Sequence, residues 1–490
     1  MNITDVLSEH AHNRTEHPAI EDGERIVTYG ELDGLVDAAA ANLHAAGIEP
    51  GDTIAILLDD SADHLIILCA LAQVGAVLFS LNSNASKVEL ENSIASVPVK
   101  AVISLGPRLS DDGLLWLRAK DICQPAARPF DGKSAGNDDP LMLNQSSGTT
   151  GAPKSFLHSH AAMLDWMARN IEVQGWSREE RFLCLSAMRF SDCRNISLCI
   201  LRFGATVVIQ RCRTMDELAV FVRGKHISYL KLTPSHMASM LEYAAGKEIL
   251  FPDLRAMVVA SAPVTHLQRL AARERLTPSF CEQLGSNETG PLVFGNPADQ
   301  DAYPDAVGRI VEGVEAQIVD DEGRPLPAGE VGQVRFRGAG YPTHYIDDPQ
   351  ASARAFRGGW FYPGDLAALN EEGYLFFKGR ADDIINNAGA KFYPIEVETA
   401  LLEHPDVNEA AVFGWPHARV GEVAVACVVV NPETSEKNLQ TFCRQRIAGY
   451  KVPHYIEILA EFPRNAMGKI SKLEIKKIIE RTLAERQAKR

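Results

Sequence analysis

Asn144-Gln145-Ser146-Ser147-Gly148-Thr149-Thr150-Gly151-Ala152-Pro153-Lys154, preceded by the apolar run Leu141 to Leu143 and followed by Ser155 to His158, decides how this 490-residue chain is read. Two glycines, Gly148 and Gly151, free the backbone to turn where a Cβ would clash. The hydroxyls of Ser146, Ser147, Thr149 and Thr150 and successive N–H groups offer donors, and Lys154 brings a mobile positive charge. Such a loop suits the phosphates of a nucleotide triphosphate. Small polar residues also gather in solvent-exposed turns for conformational reasons alone, and the loop by itself does not separate the two readings. The spacing Gly148-x-x-Gly151-x-x-Lys154 lacks the Gly-Lys-Ser/Thr ending of a Walker A loop. Helical periodicity begins only near His160, with Met163, Leu164, Met167, Ala168 and Ile171 at three-and-four spacing. The loop is therefore expected to join two strands, which points away from the P-loop NTPases.

Outward from the loop, apolar runs alternate with helical patterns from Thr53 to about Gln283. Before it come strands at Ile54 to Leu58, Val77 to Leu81 and Ala101 to Leu105, with helices over His64 to Val74 and Lys87 to Ala95. After it come strands at Phe182 to Leu185, Thr206 to Ile209, Ile227 to Leu232 and Ala256 to Ala260. Their helices are Asn195 to Phe203, Met215 to Lys225 and Pro234 to Ala244. Strands alternating with helices imply an α/β fold with a parallel sheet covered on both faces and ligands at the carboxyl ends of its strands. Near Pro304 the rhythm changes to short alternating strands such as Val314 to Val319 and Val331 to Arg337, separated by turns like Asp321-Glu322-Gly323, which suggests a small antiparallel β subdomain over about 305–380. Beyond Arg380 an α+β unit begins, with helices at Pro394 to Glu403, near Leu439 to Ile447 and over Lys472 to Arg490, and strands near Ala410 to Phe413 and Val423 to Val430. The expected division is a large domain over 1–380 and a smaller one over 381–490.

A hydrophobic fraction of 46% supports sizeable cores, and the formal net charge of -15 argues against general nucleic-acid binding. Met1 to His12 lacks a basic start and an apolar segment, and no apolar run reaches membrane-spanning length, so a cytoplasmic protein is expected. Nine cysteines without a Cys-x-x-Cys pair read as buried thiols.

Further motifs follow at large separations. Gln283-Leu284-Gly285-Ser286-Asn287-Glu288-Thr289-Gly290 places a glutamate in a small-residue loop after a strand, a pattern a simple turn also explains. Gly359-Trp360-Phe361-Tyr362-Pro363-Gly364-Asp365 ends on a carboxylate able to accept both hydroxyls of a ribose diol, or on a turn after an aromatic strand. Gly379-Arg380-Ala381-Asp382-Asp383, then Gly389-Ala390-Lys391-Phe392-Tyr393-Pro394, and Pro463-Arg464-Asn465-Ala466-Met467-Gly468-Lys469-Ile470 complete the set. A lone lysine is more often a solvated charge than a catalyst.

In this order the motifs resemble the adenylate-forming superfamily of acyl- and aryl-coenzyme A ligases, adenylation domains and luciferase-like enzymes, with a lean toward benzoate-type aryl-coenzyme A ligases. The likeness spans roughly Thr28 to Lys472 and includes Thr28-Tyr29-Gly30-Glu31-Leu32 and Gly449-Tyr450-Lys451-Val452-Pro453. It implies a large N-terminal domain and a mobile C-terminal lid. It also implies ATP, Mg²⁺ and coenzyme A as cosubstrates and cofactor, with a carrier-protein phosphopantetheine or an amine as alternative acceptor, a small carboxylic acid as substrate, and a homodimer left open. On matching positions, Ser146, Ser147, Gly148, Thr149, Thr150, Gly151 and Lys154 would hold the triphosphate and Glu288 the Mg²⁺. Asp365 would bind the ribose, with Arg380 near ribose and phosphate. Asp382 falls on the hinge, Lys469 on the lysine bridging carboxylate and α-phosphate, and Gly389 with Lys391 in the loop facing the thiol channel.

The likeness has departures. Asn287 stands where threonine is usual, Pro363 where threonine precedes Gly364-Asp365, and Asn386 where lysine is common. Ala260, Ser261, Ala262, Pro263 and Gly285 are expected to line the adenine and acyl sites. The acyl wall falls on Phe190, Ser191, Asp192 and Arg194. Arg189, Asp192 and Arg194 would make that pocket polar and favour an amino, hydroxy or dicarboxylic acid if they face inward; the expectation from charge is that they face solvent or pair at the helix start.

Overall fold

The computed structural model describes residues 1–106, 113–146, 154–430, 434–464 and 470–488. Three sheets organise them. In the first, Leu115–Arg118, Val99–Ser104, Thr53–Leu57, Val77–Ser80 and Pro140–Ser146 run parallel, and Lys154–Ser159 closes the edge antiparallel to Pro140–Ser146. The stretch quoted at the outset thus connects two antiparallel strands, as its flanks predict. The helix behind it spans His160–Gln174 because Ser159 caps its first turn through the Ala162 N–H at 3.2 Å and Gly175 ends it in the left-handed region.

The second sheet has fifteen strands and two characters. Pro18–Asp22, Thr206–Ile209, Arg181–Cys184, Tyr229–Leu232, Ala256–Ala260 and Phe280–Ser286 are parallel in that order. Of these, Thr206–Ile209 and Ala256–Ala260 are nearly uninterrupted apolar runs, as strands buried on both faces should be. The sheet then turns antiparallel through Gly290–Gly295, Gly308–Ile310, Tyr374–Arg380, Asp365–Leu369 and Gly332–Gly338. The antiparallel strands have their own core, around Phe336, Val334, Leu375 and Leu292, but no sheet of their own.

Residues from Ile385 onward form a separate five-stranded sheet built on Val407–His417 and Gly421–Val430, with its own apolar cluster around Val397, Val412, Val428 and Leu439. Large N-terminal and smaller C-terminal units therefore each carry a core. Among the described residues no helix is long and apolar enough to cross a membrane.

Two sequence expectations change. The helix expected from Asn195 begins at Ser191 and runs to Phe203. Its first turn carries Asp192 and Arg194, which hide the apolar stripe that marks the rest. The nine cysteines are not all thiols: Cys184, at a strand end, and Cys193, on that helix, are joined, with Cα atoms 6.2 Å apart. The strand-to-helix connection folds the two together, which their spacing in the chain does not signal. The other seven are free, and Cys69, Cys199, Cys281, Cys427 and Cys443 are buried.

Candidate active site

Gly285 and Gly290 bring two strands close enough to build the glutamate loop. A Cβ on Gly285 would lie 2.2 Å from the Gly290 carbonyl oxygen, and Gly290 has φ +72°. Between them Glu288 is 6% exposed. Its Oε1 accepts from the Tyr345 hydroxyl at 2.9 Å. Its carbonyl accepts from His158 Nε2 at 3.0 Å, and the next carbonyl, of Thr289, accepts from the buried Arg169 at 3.0 Å. Tyr345 is brought there by its neighbour Ile346, whose N–H meets the Ser155 carbonyl at 2.7 Å. Burial and the adjoining carboxylate push the Tyr345 hydroxyl well above the usual tyrosine value, so it stays protonated and donates. Lys154 Nζ lies 5.3 Å from the centre of the same ring. The expected pair Glu288 and Lys154 thus meet on one tyrosine, which the sequence does not single out.

The hydrogens of the chain behind Glu288 follow from one fact, that a guanidinium only donates. Arg194 NH2 lies 2.7 Å from Asn144 Oδ1, so that oxygen accepts. Asn144 Nδ2 then donates to His158 Nδ1 at 3.2 Å, and His158 must carry its proton on Nε2, facing the Glu288 carbonyl. Burial lowers His158 to about 4 and Arg194 to about 10. The expectation that Arg194 faces solvent or pairs at the helix start is overturned: it is buried, and it meets Asn144, Asn195 Oδ1 and Met142 Sδ in place of a carboxylate.

Asp365 and Arg380 sit on neighbouring strands with their Cα atoms in register. Arg380 NH1 donates to Asp365 Oδ1 and to the Pro363 carbonyl, both at 2.7 Å. Burial raises the Asp365 carboxyl and the guanidinium opposes that rise. Directly after Arg380 the chain makes a single 3-10 turn, Ala381–Asp383, on which Asp382 is exposed. Asp383 is tied to Lys472 at 3.4 Å, and Lys472 to Glu398 at 3.5 Å. Gly389 and Lys391 are exposed around a hairpin where the Gly389 N–H meets Asn386 Oδ1 at 3.0 Å.

At the carboxyl rim of the large sheet, Ser261, Ala262 and Pro263 are exposed just beyond Ala260, with Ser261 at φ +90°. A serine held there is strained, which marks a site the surroundings enforce. Ser191 Oγ donates to Asn287 Oδ1 at 2.6 Å, which joins the predicted acyl wall to the glutamate loop. Asp192 pairs with the buried Lys231 at 2.8 Å, as the pairing expectation has it, while Arg189 lies over the Phe190 ring at 4.6 Å. Ser147, Gly148, Thr149, Thr150, Gly151 and Lys469 lie outside the described residues, and Ser146 is the last residue of its strand, in register with Lys154. Tyr345, His158, Asn144, Arg169 and Lys231 are the members of this constellation that sequence reading leaves out.

The fit to Mg²⁺ rests on Glu288. Among the described residues no trio of His, Cys, Asp or Glu could cage a metal, and Glu288 has no cationic partner within ion-pair distance. One buried carboxylate with oxygen to spare, on the same tyrosine as Lys154, matches an ion that takes one or two protein carboxylates and completes its shell with phosphate and water.

The chain matches the family model for AMP-binding enzymes over residues 7–346 and that for the AMP-binding enzyme C-terminal domain over 396–469. It is 30% identical to an indoleacetate–CoA ligase of Aromatoleum aromaticum, covering 98% of this chain and 99% of that one. It is 28% identical to a 2-succinylbenzoate–CoA ligase of Geobacillus kaustophilus, covering 97% and 98%. An anthranilate CoA ligase solved with anthranoyl-AMP superposes with a TM-score of 0.87 at 25% identity, over 98% of this chain and 97% of that one. The chain belongs to the AMP-binding enzyme family, the adenylate-forming acid ligases.

Proposed function

We propose that this enzyme uses ATP to turn a small carboxylic acid into an acyl- or aryl-adenylate and then passes the acyl group to the thiol of coenzyme A. The observation that carries the reading is the Glu288 carboxylate, nearly buried, without a cationic partner among the described residues, accepting from Tyr345 beside Lys154, on a loop whose Glu288 and Thr289 carbonyls are held by His158 and Arg169. The names of the two curated relatives support coenzyme A as acceptor.

The chemistry asks for these residue types. A carboxylate oxygen attacks the α-phosphorus, the bond to the β-phosphate oxygen breaks, and pyrophosphate leaves. Two anions meet and a third departs, so positive charge on the phosphates dominates the barrier. Ser146 to Gly151 and Lys154 hold the triphosphate, and Glu288 holds Mg²⁺, which when bound screens the phosphate oxygens. Asp365 accepts from the ribose hydroxyls, with Arg380 orienting it. Ala262, Pro263, Gly285 and Asn287 line the adenine and α-phosphate positions, and Lys469 spans carboxylate and α-phosphate. In the second step the thiol sulfur attacks the acyl carbon, the bond to the AMP oxygen breaks, AMP leaves and the thiol proton passes to solvent. Residues 1–380 form the body and 381–490 a lid pivoting at Asp382, which presents Lys469 first and the loop of Gly389 and Lys391 second.

A panel of acids scored by AMP release, with and without coenzyme A, tests the reading. Coenzyme A-dependent turnover with a thioester product supports it. Turnover that ignores coenzyme A and needs a phosphopantetheinylated carrier protein overturns the acceptor.

A further inference from the structure

The stretch that carries Lys469 is pinned at its base. Arg464 and Ile470 form an antiparallel bridge, and the Ser471 N–H donates to the Pro463 carbonyl at 2.8 Å. Directly beyond, Lys472 opens the last helix and is tied to Asp383 at 3.4 Å and to Glu398 at 3.5 Å. Asp383 ends the 3-10 turn that follows Arg380 and bears Asp382. A short polar chain therefore joins the hinge turn to the base of the Lys469 stretch, all within the C-terminal unit.

Arg464 alone reaches out of this arrangement. Its NH2 donates to Glu409 Oε2 at 2.7 Å, and Glu409 lies on the strand Val407–His417 of the same unit. Its NH1 donates to Ser235 Oγ at 2.5 Å, and Ser235 lies in the first turn of the helix Pro234–Tyr243 of the large unit. That helix follows the strand Tyr229–Leu232, which pairs in parallel with Ala256–Ala260, the strand that leads into Ser261, Ala262 and Pro263. One guanidinium thus spans the two units at the carboxyl rim of the sheet, where the nucleotide is expected. Because Glu409 belongs to the same unit as Arg464, rotation of the lid breaks only the bond to Ser235 and leaves the charge paired. The Arg464 side chain is 31% exposed, so its polar contacts add little to the stability of either unit. A contact made in one pose and absent from the other nonetheless shifts the balance between them by its full worth.

We propose that Arg464 is the positioning residue of the first half-reaction: docked on Ser235, it latches the lid in the pose that presents Lys469, and it lets go of Ser235 before the thiol step. The latch acts through Lys469 and touches no reacting atom. It rests on the adenylation reading and the two-pose lid above, and it assigns to one contact the bias toward the first pose.

The two half-reactions are measured apart in Arg464→Met, Ser235→Ala and the double variant. Pyrophosphate exchange uses whichever of benzoate, indole-3-acetate, 2-aminobenzoate and octanoate the wild type activates best, and thioester formation uses the matching synthetic adenylate with coenzyme A. Each single variant should lose about tenfold or more in the kcat of exchange, as expected for one hydrogen bond to a charged group, with the KM for ATP little changed. Thioester formation from the adenylate should be unchanged or faster. The double variant should be no worse than Arg464→Met, because both substitutions remove the same contact. Urea unfolding should show all three as stable as the wild type. Equal loss in both half-reactions, loss confined to the thioester step, or full exchange in either single variant overturns the latch while leaving the adenylation reading standing. Ser235→Ala decides the matter should Arg464→Met fail to fold, since it alters the other side of the contact. Absence of exchange by the wild type with every acid is the separate outcome that removes the adenylation reading and the latch with it.

Discussion

Replacing Asn144 by leucine keeps the volume of the side chain and removes the strongest acceptor of a buried cation. Arg194 would keep only Asn195 Oδ1 at 3.3 Å and the weak thioether acceptor of Met142. Stranding a buried charge costs about 3–5 kcal/mol when its partner is lost, and a hydrogen bond to a charged group is worth about 1.5–3, so about 3 kcal/mol is expected for Asn144→Leu. Arg194→Met removes the cation and with it the desolvation cost, leaving Asn144 Oδ1 unpaired for about 1–2 kcal/mol. The double variant has neither the stranded charge nor the unpaired oxygen. It should lose no more than about 2 kcal/mol, a coupling of about 2–3 kcal/mol relative to the sum of the singles. Urea unfolding followed by tryptophan fluorescence measures all three. The reasoning requires the double variant to be more stable than Asn144→Leu alone. Additive losses, leaving the double below either single, would refute it. The two variants that lack Asn144 also free the His158 ring to turn away from the Glu288 carbonyl, so pyrophosphate exchange should fall in both, including the stable double.

Three further outcomes are expected. Folding holds His158 near 4 against an ordinary 6.5, so between those values the unfolded chain binds a proton the folded one refuses. Stability should therefore fall as pH drops from 6.5 toward 4, by up to about 3 kcal/mol from this group at about 1.4 kcal/mol per pH unit, and His158→Gln should flatten the difference between unfolding free energies at pH 6.5 and 4.5. Lys469→Ala should lose about 100-fold or more of pyrophosphate exchange yet still convert supplied acyl-adenylate to thioester, and equal loss of both steps would remove the division of labour. Asp382→Pro should hold the lid in one pose and spare one half-reaction, whereas equal damage to both would place the pivot elsewhere.

Much of the fold is legible because burial writes itself into local pattern. Thr206–Ile209 and Ala256–Ala260 are found at their expected ends, since each is an apolar run bounded by turn or capping residues. The first turn of Ser191–Phe203 is hidden because Asp192 and Arg194 find partners only in the tertiary structure. Continuity of the large sheet depends on Gly308–Ile310, three residues that pair on both sides and have no period to read. In the site, Glu288, Lys154, Asp365 and Arg380 stand out through their motifs. Tyr345 does not, because its place beside Glu288 is set by an Ile346–Ser155 contact between distant segments. Lys231 is masked differently: a lysine inside a four-residue strand reads as an interruption until its partner on the facing helix is seen.

Exchange of labelled pyrophosphate into ATP measures the joining of a carboxylate to AMP without any thiol acceptor. Exchange is expected to depend on both a carboxylic acid and Mg²⁺, and to drop about 100-fold or more in Glu288→Gln while the variant remains folded. Exchange without added acid, no exchange across the whole acid panel, or full exchange in Glu288→Gln would contradict it.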